Sequence, residues 1–236
     1  MDLTFASYNI HKGVGLDRRR DPERILAVLH ELDADVVALQ EVDRRFGRRA
    51  AVLPVHAIRD HGRYHLVPFA MLPDSMGWHG NALLVRHGIE VQAVTPVPLP
   101  TLEPRGAVCA DLSVDGRPVR VVGMHLDLSG LRRRQQLRAV QVHLAQRATA
   151  TPTVLMGDFN EWSVRGGALR ALAPGWRVLE TGPSFPARRP LARLDRIVVC
   201  GRCECLGAGV HHSALSTVAS DHLPIFARLR LGSSHA

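Results

Sequence analysis

Residues 154–162 read VLMGDFNEW, an apolar run followed by glycine and then by an aspartate and an asparagine two positions apart. A short apolar run of this kind predicts a buried strand. Because side chains two positions apart on a strand point to the same side, we expect Asp158 and Asn160 to converge on one ligand. An ordinary turn is the alternative, since Gly, Asp and Asn are common turn residues. The other strand ends of the chain bear on this choice.

Polar residues also end the other predicted strands. Strand ends lie at the rim of a sheet, where open α/β folds place their ligands. Each residue has a simpler interpretation, as a strand terminus, a turn cap, a core histidine or, for Glu41, a partner of Arg44 or Arg45. Their joint occurrence favours one shared site. The residues concerned are Asn9, Glu41, His125, Asp158, Asn160, Asp195, Asp221 and His222.

The residue types in this set suit one kind of chemistry. Asparagine and carboxylate oxygens are hard ligands of the sort that Mg²⁺ or Mn²⁺ prefers. Histidines beside them can contact a phosphate or carry a proton, and a carboxylate can orient an imidazole. Together they are suited to metal-assisted attack of water on a phosphate ester.

Two helices are predicted from capping residues and apolar spacing. Asp21 and Pro22 are typical of a helix start, and the apolar residues that follow recur at helical spacing. A second helix is predicted over residues 129–147, with Ser129 as a candidate cap. Its first turn carries three arginines, which form either a phosphate-facing patch or, the favoured interpretation, a solvated charge run.

Short connections between the predicted strands indicate a mixed sheet. Asp115 and Gly116 mark a tight hairpin, and such turns are too short for the crossover helices of a purely parallel sheet. A short helix is expected around 166–173, and 68–80 is expected to be either a substrate lid or an exposed loop. The chain is predicted to form a single α/β domain over 1–236, with 231–236 as a flexible tail.

Composition limits the partners of the protein. The chain has 236 residues, a formal net charge of +8 and an isoelectric point of about 10.5, and Lys12 is its only lysine. Arginine suits phosphate contacts, which is compatible with nucleic acid, anionic lipid head groups or phosphorylated small molecules. Genome composition is an equally good explanation of the arginine bias. With no signal peptide and no membrane-length apolar run, a cytoplasmic monomer is expected.

Three cysteines, Cys200, Cys203 and Cys205, are spaced as CxxCxC, with histidines at 211 and 212 nearby. Paired CxxC knuckles would be typical of zinc. A hairpin with incidental cysteines is therefore the favoured interpretation.

Seven motifs occur in order: YNIHKG, LQEVD, GNALLVR, GMHLDL, GDFNE, LDRIVV and SDHLPI. This ordered set resembles the endonuclease/exonuclease/phosphatase superfamily of DNase I-like phosphoesterases over residues 3–231. The resemblance implies a four-layered α/β/β/α sandwich of two mixed β-sheets. It also implies a Mg²⁺- or Mn²⁺-dependent hydrolase that cleaves phosphoester bonds.

The resemblance also implies a role for each matched residue. Glu41 is similar to the principal metal ligand, with Asn9 beside it and Asp221 as a further metal-side carboxylate. Asp158 resembles the residue that positions or deprotonates the attacking water. The remaining matches are Asn160 as a phosphate contact, His222 as the catalytic histidine with its partner Asp195, His125 as a catalytic-site histidine, and Asn81 and Arg105 as substrate-binding residues.

The substrate stays open at this stage. His125 stands where abasic-site endonucleases of the superfamily usually carry tyrosine. A more general phosphodiesterase, nuclease or phosphatase is therefore favoured, and abasic-site DNA cleavage is the alternative. Nucleic acid, phospholipid and inositol phosphate head groups are all compatible substrates. A phospholigand-binding module without catalytic activity is the non-enzymatic alternative.

Overall fold

The computed structural model describes residues 1–44, 49–60, 62–69, 73–101, 105–147 and 151–232. Four helices occur in this part of the chain: α1 (Pro22–Leu32), α2 (Val55–Asp60), α3 (Gly130–Ala145) and α4 (Ser216–Ala219). Its strands are β1 (Asp2–Asn9), β2 (Val36–Gln40), β3 (Tyr64–Leu66), β4 (Asn81–Arg86), β5 (Glu90–Val97), β6 (Gly106–Val114), β7 (Arg117–His125), β8 (Thr153–Asp158), β9 (Arg177–Val178), β10 (Asp195–Cys200), β11 (Cys203–Val210) and β12 (Ile225–Leu231).

The strands form two six-stranded mixed sheets. The first has the order β11-β12-β1-β2-β4-β3 and the second β5-β6-β7-β8-β10-β9. β1 runs parallel to β2, and β7 runs parallel to β8, whereas the other neighbours are antiparallel. Helices provide the crossovers within the two parallel pairs, and short turns join most antiparallel ones, as the connection lengths require. The mixed topology is confirmed.

Three apolar clusters define four layers. Phe5 and Leu83 of the first sheet meet Val121 and Met156 of the second in the central cluster. The outer face of the first sheet packs on α1 and α2, and that of the second packs on α3. Each fully buried large side chain contributes about 1.5–3 kcal/mol. The predicted α/β/β/α sandwich is confirmed.

The first helix begins where its capping residues predict. The Arg24 backbone N–H donates to Asp21 Oδ1 at 3.1 Å, and Pro22 opens the helix. The helix ends at Leu32, and its C-cap residue Asp33 adopts the left-handed conformation with φ 47°.

The second predicted helix is shorter than 129–147, because α3 ends at Ala145. Ser129 is its N-cap residue, but its side chain makes no capping hydrogen bond. The predicted short helix is a single 3-10 turn at Gly167–Ala171. Leu231 belongs to β12, so this residue is not part of a tail, and 233–236 lie outside the described residues.

Gly157 does not form a turn, although a turn was the alternative interpretation of its sequence. It lies inside β8, and a Cβ there would stand 1.9 Å from the Met124 carbonyl oxygen of the neighbouring β7. Glycine is therefore required for the close approach of two parallel strands. Among the described residues, no helix combines the length and apolar character needed to cross a membrane.

Candidate active site

Strand direction brings the predicted site residues to one edge of the sandwich. In the first sheet, Asn9 at the end of β1 is paired with Gln40, which precedes Glu41. In the second sheet, His125 and Asp195 are the register partners of Asp158 on its two sides. The parallel pairs end at this edge, while β10 and β12 begin there because they are antiparallel to β8 and β1.

Asp158 is the centre of this cluster and is 2% exposed. Its Oδ2 accepts a hydrogen bond from Asn9 Nδ2 at 3.0 Å, which joins the two sheets. The same oxygen lies 3.4 Å from His125 Nε2 and 3.8 Å from His222 Nε2. Burial is the main cause that raises the pKa of Asp158 to about 6, although the charge of His222 opposes it. A carboxyl with this pKa suits proton acceptance near neutral pH.

Asn160 reaches the cluster through a turn rather than along a strand. β8 ends at Asp158, so the alternation argument for these two residues was wrong. Asn160 has φ 49°, and its backbone N–H donates to Asp158 Oδ1 at 2.9 Å, which is an Asx-type turn. Its side-chain Nδ2 donates to the Leu126 carbonyl at 2.9 Å. Phe159, between the two, is fully buried in the outer cluster of the second sheet.

His222 is hydrogen-bonded to Asp195 within the same cluster. His222 Nδ1 lies 2.8 Å from Asp195 Oδ2, which also accepts a hydrogen bond from Ser184 Oγ. Burial acts to lower the pKa of His222, but the charge and hydrogen bond of Asp195 outweigh it, with help from Asp158. The pKa of His222 is raised to about 10, so the imidazole is protonated at neutral pH.

Glu41 lies on the first-sheet side of the cluster and accepts a hydrogen bond from Lys12 Nζ. Glu41 pairs with this lysine rather than with Arg44, and Arg45 lies outside the described residues. Burial acts to raise the pKa of Glu41, but the hydrogen bond and charge of Lys12 outweigh it and lower that pKa. Lys12 and Glu41 both have positive φ, 55° and 61°, so tight turns present the two side chains to each other.

The remaining predicted residues differ in how directly they face the cluster. Arg105 Nη1 contacts His125 Nε2. Asp221 has a side chain that is 34% exposed, and its Oδ1 lies 3.8 Å from His11 Nδ1. Asn81 is fully buried, and its Nδ2 donates to three backbone carbonyls, including that of Gly106 at 3.1 Å. Its Oδ1 has no hydrogen-bond partner within the described part of the chain.

Comparison with known proteins identifies the family of this chain. The profile of the Endonuclease/Exonuclease/phosphatase family matches residues 6–222. This chain belongs to the endonuclease/exonuclease/phosphatase family. It is 28% identical to the uncharacterized protein YbhP of Escherichia coli (strain K12), over 94% of both chains.

Solved structures of known proteins share this fold. An endonuclease/exonuclease/phosphatase from Bacteroides vulgatus superposes with a TM-score of 0.78 at 17% identity, over 98% of this chain and 100% of that one. D. rerio TDP2, solved in complex with single-strand DNA product, superposes with a TM-score of 0.76 at 15% identity, over 97% and 99% of the two chains. At these identities the likeness shows the fold alone.

Two groups of side chains differ in how well they could hold a divalent cation. Asp158, Asp195 and His222 offer ligand atoms within 4.8 Å of one another. However, His222 Nδ1 is already hydrogen-bonded to Asp195 Oδ2, and a protonated imidazole cannot ligate a metal. Glu41 fits better, because its carboxylate is ionised, partly exposed and already attracts one cation, the Lys12 ammonium. The hard oxygens of Glu41 and Asn9 suit Mg²⁺ or Mn²⁺.

Three residues of the cluster had no role assigned from the sequence. Lys12 carried a signal, since it is the only lysine of the chain and lies three positions after Asn9. Ser184 and Phe185 carried none, because their loop is brought to the site only by folding. Ser184 donates to Asp195, and the Phe185 ring stacks 4.8 Å from the His222 ring.

The three arginines at the start of α3 differ in their surroundings, since Arg133 is buried and Arg134 is exposed. Neither a phosphate-facing patch nor a solvated charge run therefore describes all three. Arg133 is 7% exposed and its Nη2 lies 3.3 Å from Glu161 Oε2, so it is a buried structural partner. Glu161 also accepts the backbone N–H groups of Ser163 and Ala168, at 2.9 and 2.7 Å. The Arg133–Glu161 pair holds the loop that follows the end of β8 at the candidate active site.

Two other sequence features lie away from the cluster. Cys200, Cys203 and Cys205 are free thiols on β10 and β11, and no group of metal-ligating side chains within the described residues includes them. The predicted hairpin is wrong, because β10 pairs with β8 and β9 in the second sheet whereas β11 pairs with β12 in the first. Trp78, in the predicted lid, is half-buried against the central cluster, so its ring anchors this segment. Residues 70–72 of that segment lie outside the described residues.

Proposed function

We propose that this protein is a divalent-metal-dependent hydrolase that cleaves phosphoester bonds. The observation that carries the proposal is the contact of buried Asp158 with Asn9 of the other sheet and with the His222–Asp195 pair. Asp158 has a pKa of about 6 and can accept a proton, whereas the neighbouring His222 has a pKa of about 10 and keeps its proton. The two groups can therefore act as a base and as a positively charged electrophile.

Each residue then has a distinct task in hydrolysis. Asp158 orients a water molecule and takes its proton as the water oxygen bonds to phosphorus. Protonated His222 faces the phosphate oxygens, where its charge stabilises the extra negative charge of the transition state. The phosphorus–oxygen bond to the leaving group breaks, and the alkoxide takes up a proton from solvent, to which Asp158 releases the proton that it accepted. Asp195 holds the His222 ring and its charge in place.

Other residues of the edge would hold the phosphate. His125 and Asn160 flank Asp158 and are proposed phosphate contacts. Arg105, which touches His125, is the proposed clamp on the same group. Asn81, which begins β4 at the same edge, is the further proposed substrate-binding residue.

Glu41 and Asn9 would hold Mg²⁺ or Mn²⁺, and Asp221, which is partly exposed beside His11, is the proposed further carboxylate. When bound, the cation supplies positive charge that polarises the phosphate and favours ionisation of water. Lys12, which pairs with Glu41 in this structure, would then be available to contact the substrate.

A general phosphodiesterase, nuclease or phosphatase is favoured over an abasic-site endonuclease, because a histidine occupies position 125. TDP2, a structural neighbour, was solved with single-strand DNA product, which keeps nucleic acid among the candidate substrates. A phospholigand-binding module without activity is disfavoured, since none of the residues proposed for catalysis or metal binding is replaced. A cytoplasmic location and a monomeric state remain predictions.

A substrate panel tests the proposal. The panel contains a generic diester and monoester, plasmid DNA, an abasic-site duplex, phospholipid and inositol phosphates. We expect hydrolysis that EDTA abolishes and Mg²⁺ or Mn²⁺ restores, and a loss of several orders of magnitude in Asp158→Asn, whose fold is checked by circular dichroism. Full activity of Asp158→Asn would refute the assignment, and rapid preferential cleavage of the abasic duplex would make the alternative correct.

A further inference from the structure

Large apolar side chains are exposed around the candidate active site. Nine such side chains are exposed in the described part of the chain. All but Val55 and Val142 lie on loops or helix ends at the edge of the sandwich that carries Asp158 and His222. Clusters of exposed apolar side chains mark binding surfaces in soluble proteins. Five of them, between 50% and 73% exposed, we name the apolar rim: Leu128, Leu131, Trp162, Val164 and Leu191.

The topology explains why the rim residues share one edge. Leu128 and Leu131 follow the end of β7, and Leu131 lies in the first turn of α3. Trp162 and Val164 follow the end of β8, which is parallel to β7. Leu191 precedes β10, which runs antiparallel to β8 and therefore begins at the same edge. Three loops that are far apart in sequence thus contribute to one surface.

Contacts beneath the rim hold these loops in place. Arg133 Nη1 donates to the Leu128 carbonyl at 2.5 Å and the same guanidinium pairs with Glu161, the residue before Trp162. The Trp162 ring lies 6.4 Å from the ring of Phe185, whose carbonyl accepts the Leu191 N–H at 2.9 Å. A preordered surface loses little conformational entropy when it binds.

A second pair of apolar residues lies on the first-sheet side of the site. The Leu16 N–H donates to the Val218 carbonyl at 3.0 Å, and both side chains are exposed. Leu16 lies on the connection after β1, and Val218 lies on the connection before β12. The site is therefore flanked by exposed apolar side chains contributed by both sheets.

Arginines alternate with these apolar residues. Arg134, Arg165, Arg188 and Arg189 are exposed on the rim loops, and residues 18–20, three exposed arginines, follow Leu16. The whole chain has a net charge of +8. Exposed leucine and tryptophan interspersed with arginine are typical of surfaces that bind anionic lipid head groups.

The composition of the rim favours a membrane over a nucleic acid. Proteins that bind single strands stack the bases on aromatic rings, and phosphate contacts need only charged or polar groups. Four of the five rim residues are aliphatic, and Trp162 is its only aromatic member. Aliphatic side chains gain from burial in the acyl boundary of a bilayer, which a phosphate backbone cannot offer.

We propose that the apolar rim inserts into the head-group region of an anionic phospholipid membrane and holds the catalytic edge against it. The substrate is then a phosphate ester in the head group of a membrane lipid. This substrate class rests on the proposed phosphoesterase function, whereas the docking of the rim does not.

Vesicle sedimentation tests the docking without turnover. Full-length Asp158→Asn protein is mixed with vesicles of phosphatidylcholine and phosphatidylglycerol at about three to one, or of phosphatidylcholine alone. We expect sedimentation with the anionic vesicles, reduced by salt, and at least about tenfold weaker binding when Leu128→Ser and Leu191→Ser are added. Val142→Ser is the matched control, because Val142 is 60% exposed near the far end of α3, and it should bind normally.

Several results would overturn the inference. One is that the protein does not sediment with anionic vesicles, and another is that the Leu128→Ser, Leu191→Ser protein binds them as well as before. An equal loss of vesicle binding in Val142→Ser would also overturn it. Tighter binding of a single-stranded oligonucleotide that depends on the same two leucines would identify nucleic acid as the partner instead. Hydrolysis of a water-soluble diester by the wild-type protein is measured separately, so that failure of the phosphoesterase proposal is distinguished from failure of the docking.

Discussion

Asn9 Nδ2 donates to Asp158 Oδ2 at 3.0 Å, across 149 positions of sequence and between the two sheets of the sandwich. This hydrogen bond connects the proposed metal side of the site to the proposed base. It stabilises the ionised form of a carboxyl that burial otherwise keeps protonated to higher pH. The proton affinity of Asp158 thus depends in part on a residue of the other sheet.

Replacing Asn9 with alanine removes this donor, so the pKa of Asp158 should rise above about 6. We expect the acidic limb of the kcat/KM profile against pH to move to higher pH, with lower activity at neutral pH. Asn160→Ala is the control, because its backbone N–H still donates to Asp158. An acidic limb that stays in place in Asn9→Ala would contradict the assignment of Asp158 as the base.

Asp195→Asn should remove the charge that keeps His222 protonated. We expect the pKa of His222 to fall from about 10 toward its ordinary range, observed by NMR titration of the imidazole. Turnover should fall by about 10²–10⁴ at neutral pH, the usual contribution of a positioned acid or base. Ser184→Ala, which removes only one hydrogen bond to Asp195, should have a much smaller effect. Equal effects of both variants would speak against the pair.

The raised pKa of His222 also predicts a pH dependence of stability in the metal-free protein. Because the folded pKa of about 10 exceeds the ordinary value of 6.5, folding retains a proton that the unfolded chain releases. The stabilisation is complete below pH 6.5 and is lost as the pH rises through 10. Urea unfolding at pH 7 and pH 9 should show a lower free energy at pH 9. His222→Gln should flatten this decline, and an unchanged slope would disprove the prediction.

Lys12→Met should strengthen binding of Mg²⁺, because the Lys12 ammonium competes for the Glu41 carboxylate. The two side chains are 31% and 22% exposed, so solvent screens the pair and the expected gain is only about two- to fivefold. Isothermal titration calorimetry measures it directly. Lys12→Arg retains the charge and should bind Mg²⁺ like the wild type. Weaker binding by Lys12→Met would mean that Glu41 is not a ligand.

Glu161→Gln should destabilise the fold by about 3 kcal/mol, since it leaves the buried Arg133 guanidinium without its counter-charge. Urea unfolding provides the measurement. Adding Arg133→Met should recover part of the loss, because the double variant no longer buries an unpaired charge. If the double variant is as unstable as the sum of both single changes, the pair is not coupled.

Much of the fold was predictable from local pattern. Asp21 and Pro22 fixed the start of α1, Asp115 and Gly116 fixed the β6–β7 hairpin, and apolar runs identified the main strands. These features depend on neighbours a few residues away, which is the range over which capping, turn chemistry and periodicity act. The ordered motifs then sufficed for the family and its four layers.

The same local reasoning failed where contacts between distant segments decide the outcome. Gly157 was assigned to a turn, but it is required by the approach of the Met124 carbonyl on β7. Arg133 was assigned to a charge run, but it is buried against Glu161, 28 positions away. Neither neighbour can be identified from the residues that flank the position in sequence.

The sequence by itself determined the kinds of groups at the site, because oxygen ligands, histidines and their places at strand ends are visible in the motifs. Only the tertiary structure decided which of them touch. Sheet packing gives Asp158 its Asn9 donor, and the loop before β10 gives Asp195 its Ser184 donor. Proton affinity depends on burial and on charges within a few ångströms, and those distances exist only once the two sheets have come together.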